Sequence, residues 1–453
     1  MNIIIVGLGR VGQKLAERLS SEKEHSITVV DLKQSVLSDT VNSYDVMGIT
    51  GSGASIEVLE EAGIKKADIL IAVTNSDELN LLTCFIARKL SHVSTIARVR
   101  NPEYKEEIQL FQEDLGLAMI INPELIAARE MARLLRFPSA VQIDTFAKGR
   151  VEILKFKISE KSPLCNLKLM EIPQRQLGGN ILICGVERGE EAFIPGGDFM
   201  LKAGDYVSIV GTVHDATQFF KKIGLKTGKV KNTMIVGGGE TAVYLAHLLI
   251  KAGIDVKILE QDFKRCDELC TIVPKATIIH GDGTENRLLL EEGVDSTESF
   301  VALTNLDEAN VMLSLYVKTR TEGKIITKIN RTAYDEVISN LGLDTVIYPK
   351  DITAEYILRF VRAKNNSIGS NIETMHEILD GKAEALEFNI LENAPIANKT
   401  LETLSIKPGV LIACINRQGN IITPRGKDML LPGDTVIVVT AHKGFNDISD
   451  ILR

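Results

Sequence analysis

Residues 1–19 read "MNIIIVGLGRVGQKLAERL", and residues 233–253 read "TMIVGGGETAVYLAHLLIKAG". In each stretch an apolar run rich in isoleucine and valine stops at closely spaced glycines. Apolar residues three and four apart then follow, which is the pattern of a strand, a tight turn and a helix. Gly7, Gly9 and Gly12 have G-x-G-x-x-G spacing. In such a turn the first glycine permits the bend, the second lets a pyrophosphate reach the backbone, and the third packs helix on strand, while the helix N-terminus attracts phosphate.

The two stretches head a long repeat. Gly7, Gly9, Leu15 and Gly63 meet Gly237, Gly239, Leu245 and Gly293 at an offset of 230, and "AVTNSDELN" (72–80) recurs as "ALTNLDEAN" (302–310). Further on, "ILICGVERGEEAFIPGGDFMLKAGDYVSIVGT" (181–212) matches "VLIACINRQGNIITPRGKDMLLPGDTVIVVTA" (410–441) at an offset of 229. The chain therefore has an A-B-A-B order, a duplication rather than a solenoid. In part A, short β-branched runs alternate with helical segments, which predicts βαβ units on a doubly wound parallel sheet. Part B has runs separated by Gly and Pro turns, with a helical possibility at "LCNLKLMEI" (164–172) and hairpin turns at "KAGD" (202–205) and "LPGD" (431–434); a small α+β module is expected. Between A and B, "NPELIAAREMARLLRFPSA" (122–140) and "YPKDITAEYILRFVRAKNN" (348–366) predict helices that start near Pro123 and Pro349. Their apolar stripes want a partner surface, either their own domain or another subunit. Arg133, Arg136, Arg359 and Arg362 recur on these helices and read as solvated charge.

Composition narrows the class. At 453 residues the chain has room for three or four domains, and 60 acidic against 52 basic side chains give a net charge of -8 with no long basic run. A nucleic-acid or anionic-lipid surface would need the opposite balance. Six scattered cysteines without a CxxC pair suggest reduced thiols in a cytoplasmic protein. No stretch approaches the roughly 20 apolar residues of a membrane span, so any membrane role would run through a partner rather than direct insertion.

Asp31 ends the strand "TVVD" some 20 residues beyond the first turn, where a carboxylate accepts ribose hydroxyls and repels a 2′-phosphate. That favours NAD(H) or an adenosine nucleotide over NADP. Thr74 and Asn75 follow the next strand of the cleft and are placed to contact ribose or phosphate, with Asn75 alternatively capping the following helix. Arg98 brings a permanent charge to the same edge or serves a structural salt bridge. In the second copy Gly237, Gly238, Gly239 and Thr241 remain as the turn, Ala242 replaces the third glycine, Lys328 replaces Arg98, and Glu260 stands one residue out of step with Asp31. Glu240 takes the place of Arg10; a carboxylate there suits the helix dipole and competes with an anionic ligand. The second turn is therefore expected to bind phosphate more weakly. Ser52 and its counterpart Asp282 are both placed to approach an adenine. The seven histidines fall singly and no nucleophile-elbow or Walker motif occurs, so a binding protein is expected rather than an enzyme.

With "IIIVGLGRVG", "VVD", "AVTNSDELN", "IARVRNPEY" and the repeated A-B order on the page, the chain resembles the RCK (KTN) family that regulates Trk-type potassium uptake. The resemblance spans essentially all residues. It implies RCK N-terminal, Rossmann-like domains at 1–122 and 231–348, crossover helices and linkers at 123–142 and 349–369, and small RCK C-terminal domains at 143–227 and 370–453. It implies a peripheral cytoplasmic regulatory subunit, assembled as a homo-oligomeric ring beneath a potassium-translocating membrane subunit of the TrkH or TrkG type. NAD(H) is the implied ligand, with ATP or ADP competing in some members. The implied binding residues are Gly7, Leu8, Gly9, Arg10, Val11, Asp31, Thr74, Asn75 and Arg98, then Gly237, Gly238, Gly239, Glu240, Thr241 and Glu260. Two rivals use the same cleft: an NAD-dependent oxidoreductase, and a nucleotide-sensing regulator of a different ion transporter.

Overall fold

The structure is a computed structural model and describes the chain except residues 22–24, 102, 103, 105–115, 332–334, 344, 367–371, 380 and 446. Pro102 and Glu103 of the quoted "NPEY", and the expected domain boundary at 369–370, lie outside the described residues.

Six strands form the first sheet: β1 (Asn2–Val6), β2 (Ser26–Asp31), β3 (Met47–Thr50), β4 (Ile69–Ala72), β5 (Ser94–Arg98) and β6 (Leu117–Ile121). Their order is β3-β2-β1-β4-β5-β6, and every pairing is parallel. β1 and β4 are buried along nearly their whole length, which is why the sequence shows continuous apolar runs there rather than alternation. The strand order reverses between β1 and β4, so the carboxyl ends of these two strands frame a crevice at the glycine turn. The second copy repeats the order with β12 (Asn232–Val236), β13 (Asp255–Glu260), β14 (Thr277–His280), β15 (Ser299–Ala302), β16 (Lys324–Lys328) and β17 (Val346–Ile347).

Each small module is a five-stranded antiparallel sheet. The first has β7 (Gln142–Phe146), β8 (Val151–Lys157), β9 (Leu182–Arg188), β10 (Glu191–Phe193) and β11 (Tyr206–Gly211) in the order β10-β9-β11-β8-β7. The second, β18 (Ile372–Ile378), β19 (Ala383–Asn389), β20 (Val410–Arg417), β21 (Asn420–Ile422) and β22 (Thr435–Thr440), is the same chain of neighbours read from the other edge. The expected helix at 164–172 shrinks to one 3₁₀ turn at Leu169–Glu171, whereas a ten-residue helix at Val213–Lys222 forms from "VHDATQFFKK". "KAGD" and "LPGD" are not hairpin turns. They lead into β11 and β22, where Asp205 and Asp434 each receive a two-nitrogen fork from Arg188 and Arg417, and the hairpins close at Gly189 and Gly419 instead.

Within the chain the crossover helices pack chiefly across the repeat, each on the turn helix of the other half. Pro123–Arg136 lies on the second turn helix, Glu240–Lys251; Pro349–Asn366 lies on the first, Arg10–Ser20; and the crossover helices also touch each other. Ala127, Met131 and Leu135 share a core with Ala242, Leu245 and Leu249, while Ala354, Ile357 and Val361 complete the core around Leu15 and Leu19. The two halves are thus exchanged at their crossovers and locked by apolar burial. Their small sheets also meet, through Ile153, Cys184 and Val210 against Ala385, Cys414 and Val439. Arg133 is less solvated than expected, bonding Glu130 at 2.6 Å, whereas Arg136 stays exposed while bonding the buried Glu152 at 2.9 Å.

Candidate functional site

Gly7 has φ +95°, and a Cβ there would sit 2.8 Å from the Thr74 backbone; a Cβ on Gly12 would lie 1.9 Å from the Gly7 carbonyl oxygen. Gly9, the helix N-cap, has φ -67° and nothing within 4 Å of its added Cβ. Gly7 and Gly12 are therefore required by packing, whereas no packing contact requires Gly9. Leu8 and Val11 are buried, so only their backbone is offered to a ligand. The second turn repeats this, with Gly237 at φ +101° and open space beside Gly239.

Asp31 is fixed before any ligand arrives. Its Oδ2 accepts from the Leu8 N–H at 2.7 Å and its Oδ1 from the Lys33 N–H at 2.8 Å. Glu260 accepts in the same way from the Gly238 and Asp262 N–H groups, at 2.7 and 2.8 Å. The shift of one residue in the repeat leaves the geometry unchanged.

Two buried asparagines, to which the sequence reading assigned no role, organise the opposite wall. Asn80 Oδ1 accepts from the Thr74 N–H at 2.8 Å and from the Thr74 hydroxyl at 2.7 Å, and its Nδ2 donates to the Arg98 carbonyl at 2.9 Å. Asn310 makes the matching bonds to Thr304 and Lys328. Recurrence of an asparagine inside an amphipathic helix was the available signal. The Thr74 hydroxyl proton is thereby committed to Asn80. Asn75 is exposed, and the cap of the following helix is Ser76, whose Oγ accepts from the Leu79 N–H at 3.1 Å.

Arg98 donates from Nη2 to the Thr74 carbonyl at 2.6 Å rather than to a carboxylate, and its Nε is buried with no hydrogen-bond partner. Burial, followed by repulsion from Arg100, lowers its pKa from the ordinary value. Lys328 Nζ donates to the Leu303 carbonyl at 3.2 Å, and burial lowers its pKa too. Each crevice thus has a desolvated cation at its floor, an arrangement suited to a phosphate or carboxylate.

The turn residues 237–241 and Glu260 line one cavity of 560 Å³ with Asp282 and Lys328, and Glu124 reaches it from the first crossover helix. The first half therefore contributes to the site of the second. Tyr244 ties them together, its hydroxyl donating to the Arg100 carbonyl at 2.9 Å and accepting from Asn122 Nδ2 at 3.0 Å. The charges differ between crevices. Lys350 lies near Arg10 and Lys14 of the first half, whereas the second turn has Glu240, paired at 3.0 Å with Arg265. Among the described residues no group of three or more His, Cys, Asp or Glu is placed to hold a metal.

Paired Rossmann crevices, the second lined in part by a helix from the other half, define a tandem mononucleotide- or dinucleotide-binding architecture. Residues 3–123 and 233–349 match the TrkA-N domain, and residues 153–224 and 385–453 match the TrkA-C domain. The chain belongs to the TrkA family. It is 30% identical to the Trk system potassium uptake protein TrkA homolog 1 of Methanosarcina mazei over the full length of both chains. It is 31% identical to the Trk system potassium uptake protein TrkA of Halomonas elongata, over 97% of this chain and 93% of that one. The fold matches a solved GsuK channel with a TM-score of 0.65 at 19% identity, over 97% of this chain and 76% of that one. It also matches the crystal structure of the GsuK RCK domain, with a TM-score of 0.63 over 97% and 92%.

Proposed function

We propose that this chain is a nucleotide-sensing regulatory subunit of a potassium uptake system, acting on a separate potassium-translocating membrane protein. No described helix is long and apolar enough to cross a membrane, so the transport path belongs to the partner in this reading. The observation that carries the proposal is the exchange of crossover helices. Because Glu124 lines the second cavity while Tyr244 bonds the first half, a ligand in a crevice touches the contact that sets the relation between halves. A ligand biases such a contact only by its difference in affinity for two arrangements, and about 1–3 kcal/mol is the usual size of such coupling.

NAD(H) is the proposed ligand of the first crevice, with ADP or ATP competing. The carboxylate held at Asp31 favours an unphosphorylated ribose 2′-hydroxyl, and Arg10 and Lys350 favour the pyrophosphate. The names of the relatives support the potassium system, and one fold neighbour is a GsuK channel bound to NAD. In this reading the binding residues are Gly7–Val11, Asp31, Thr74, Asn75 and Arg98, then Gly237–Thr241 and Glu260. The nucleotide leaves unchanged; the protein is not an enzyme. The test is potassium flux in vesicles containing the membrane partner, with and without this chain and NADH. Flux that responds to NADH only when this chain is present is expected; indifference to the chain would overturn the proposal.

A further inference from the structure

The second crevice replaces one charge and adds another. Glu240 stands where the first turn has Arg10, and Arg265, on the next helix, stands where the first copy has Val36. The structure brings these two changes together. Arg265 Nε donates to the Gly238 carbonyl at 2.8 Å, Nη2 to Glu240 Oε1 at 3.0 Å, and Nη1 to Glu268 Oε2 at 2.8 Å. The guanidinium therefore lies across the mouth of the glycine turn, in the wall of the 560 Å³ cavity, with 21% of its side-chain surface exposed.

We propose that Arg265 is the phosphate-recognising residue of the second crevice and that Glu240 occupies it in the empty site as a stand-in that a nucleotide phosphate displaces. This rests on the nucleotide-binding reading above. A guanidinium presents paired N–H donors that match a carboxylate or a phosphate alike, so one oxyanion can replace the other without rebuilding the wall. The bond to the Gly238 carbonyl holds the side chain over the turn during the exchange. Glu240, 44% exposed, can move into water when released. The expectation from the sequence, a second turn weakened by its carboxylate, is thereby refined: the crevice is occupied by its own charge pair and selects for ligands with a phosphate beside the turn. A nucleoside without phosphate has no group to compete with Glu240.

The experiment is calorimetric titration of the full-length chain with ADP and, separately, adenosine, in a Gly9→Asp background that closes the first crevice. Arg265→Gln is expected to weaken ADP by on the order of tenfold or more, leaving adenosine within about twofold. Arg265→Lys should recover part of the loss, and Glu240→Gln should tighten ADP. Equal losses for ADP and adenosine, no loss with Arg265→Gln, weaker ADP with Glu240→Gln, or no ADP binding at all in the Gly9→Asp chain would each overturn the assignment. If the unsubstituted chain binds no adenine nucleotide, the nucleotide-binding reading itself fails. Binding by the unsubstituted chain with an indifferent Arg265→Gln removes only the present inference.

Discussion

Gly9 and Gly12 are three residues apart and answer to different constraints. Gly9→Asp places its side chain in open space, so stability should change by no more than about 0.5 kcal/mol while NADH affinity at the first crevice collapses. Gly12→Ala drives a methyl against the Gly7 carbonyl and should cost about 1–3 kcal/mol, read by denaturant unfolding. Asn80→Ala leaves the Thr74 N–H and the Arg98 carbonyl without their partner and should cost about 1–3 kcal/mol, with weaker nucleotide binding. The glycines and Asp31 were legible because the chemistry of a turn is local. Asn80 was not, since its side chain ties the loop at Thr74 to the end of β5 at Arg98, which only the folded sheet brings together. His376 shows the same limit: it reads as a lone histidine, yet it sits 3.2 Å from Asp144 of the other half.

At the scale of elements, the crossover helices carry the interface. Ile357, fully buried in the core of the first half, should cost about 2–5 kcal/mol on truncation to Ala and loosen the two halves together, as read by hydrogen exchange. Where these helices meet the small sheets, Glu355 is walled in while keeping 38% of its side-chain surface. Burial first, and Asp144 second, push its pKa from 4.5 up to about 7, against the pull of Arg359. The folded state thus binds the proton more tightly than the unfolded chain. Its stabilisation is full below the unfolded value and is lost as pH rises through the folded one. Glu355→Gln is therefore expected to raise the melting temperature more at pH 8 than at pH 5; an equal shift at both would contradict this. The sequence showed the apolar stripe of each helix and the need for a partner, but not that the turn helix of the other half would take up that stripe. Periodicity gives the face of a helix and says nothing about which surface receives it. The helix at Val213–Lys222 was missed for a related reason, since its aromatic pair Phe219–Phe220 reads equally well as strand.

For the whole molecule, the duplication fixed the architecture early, because a repeat offset carried through two kinds of module leaves few alternatives. Two crevices of unlike charge share one exchanged interface, so in the proposed function occupancy of either is coupled to the relation between halves and, by linkage, to the other crevice. In the proposed function the chain binds a nicotinamide nucleotide and returns it unaltered. The most direct measurement is calorimetric titration of the intact protein with NADH, with absorbance at the nicotinamide band followed throughout. Saturable binding with constant absorbance is the expected result; loss of the band, or no heat of binding, would overturn the proposed function.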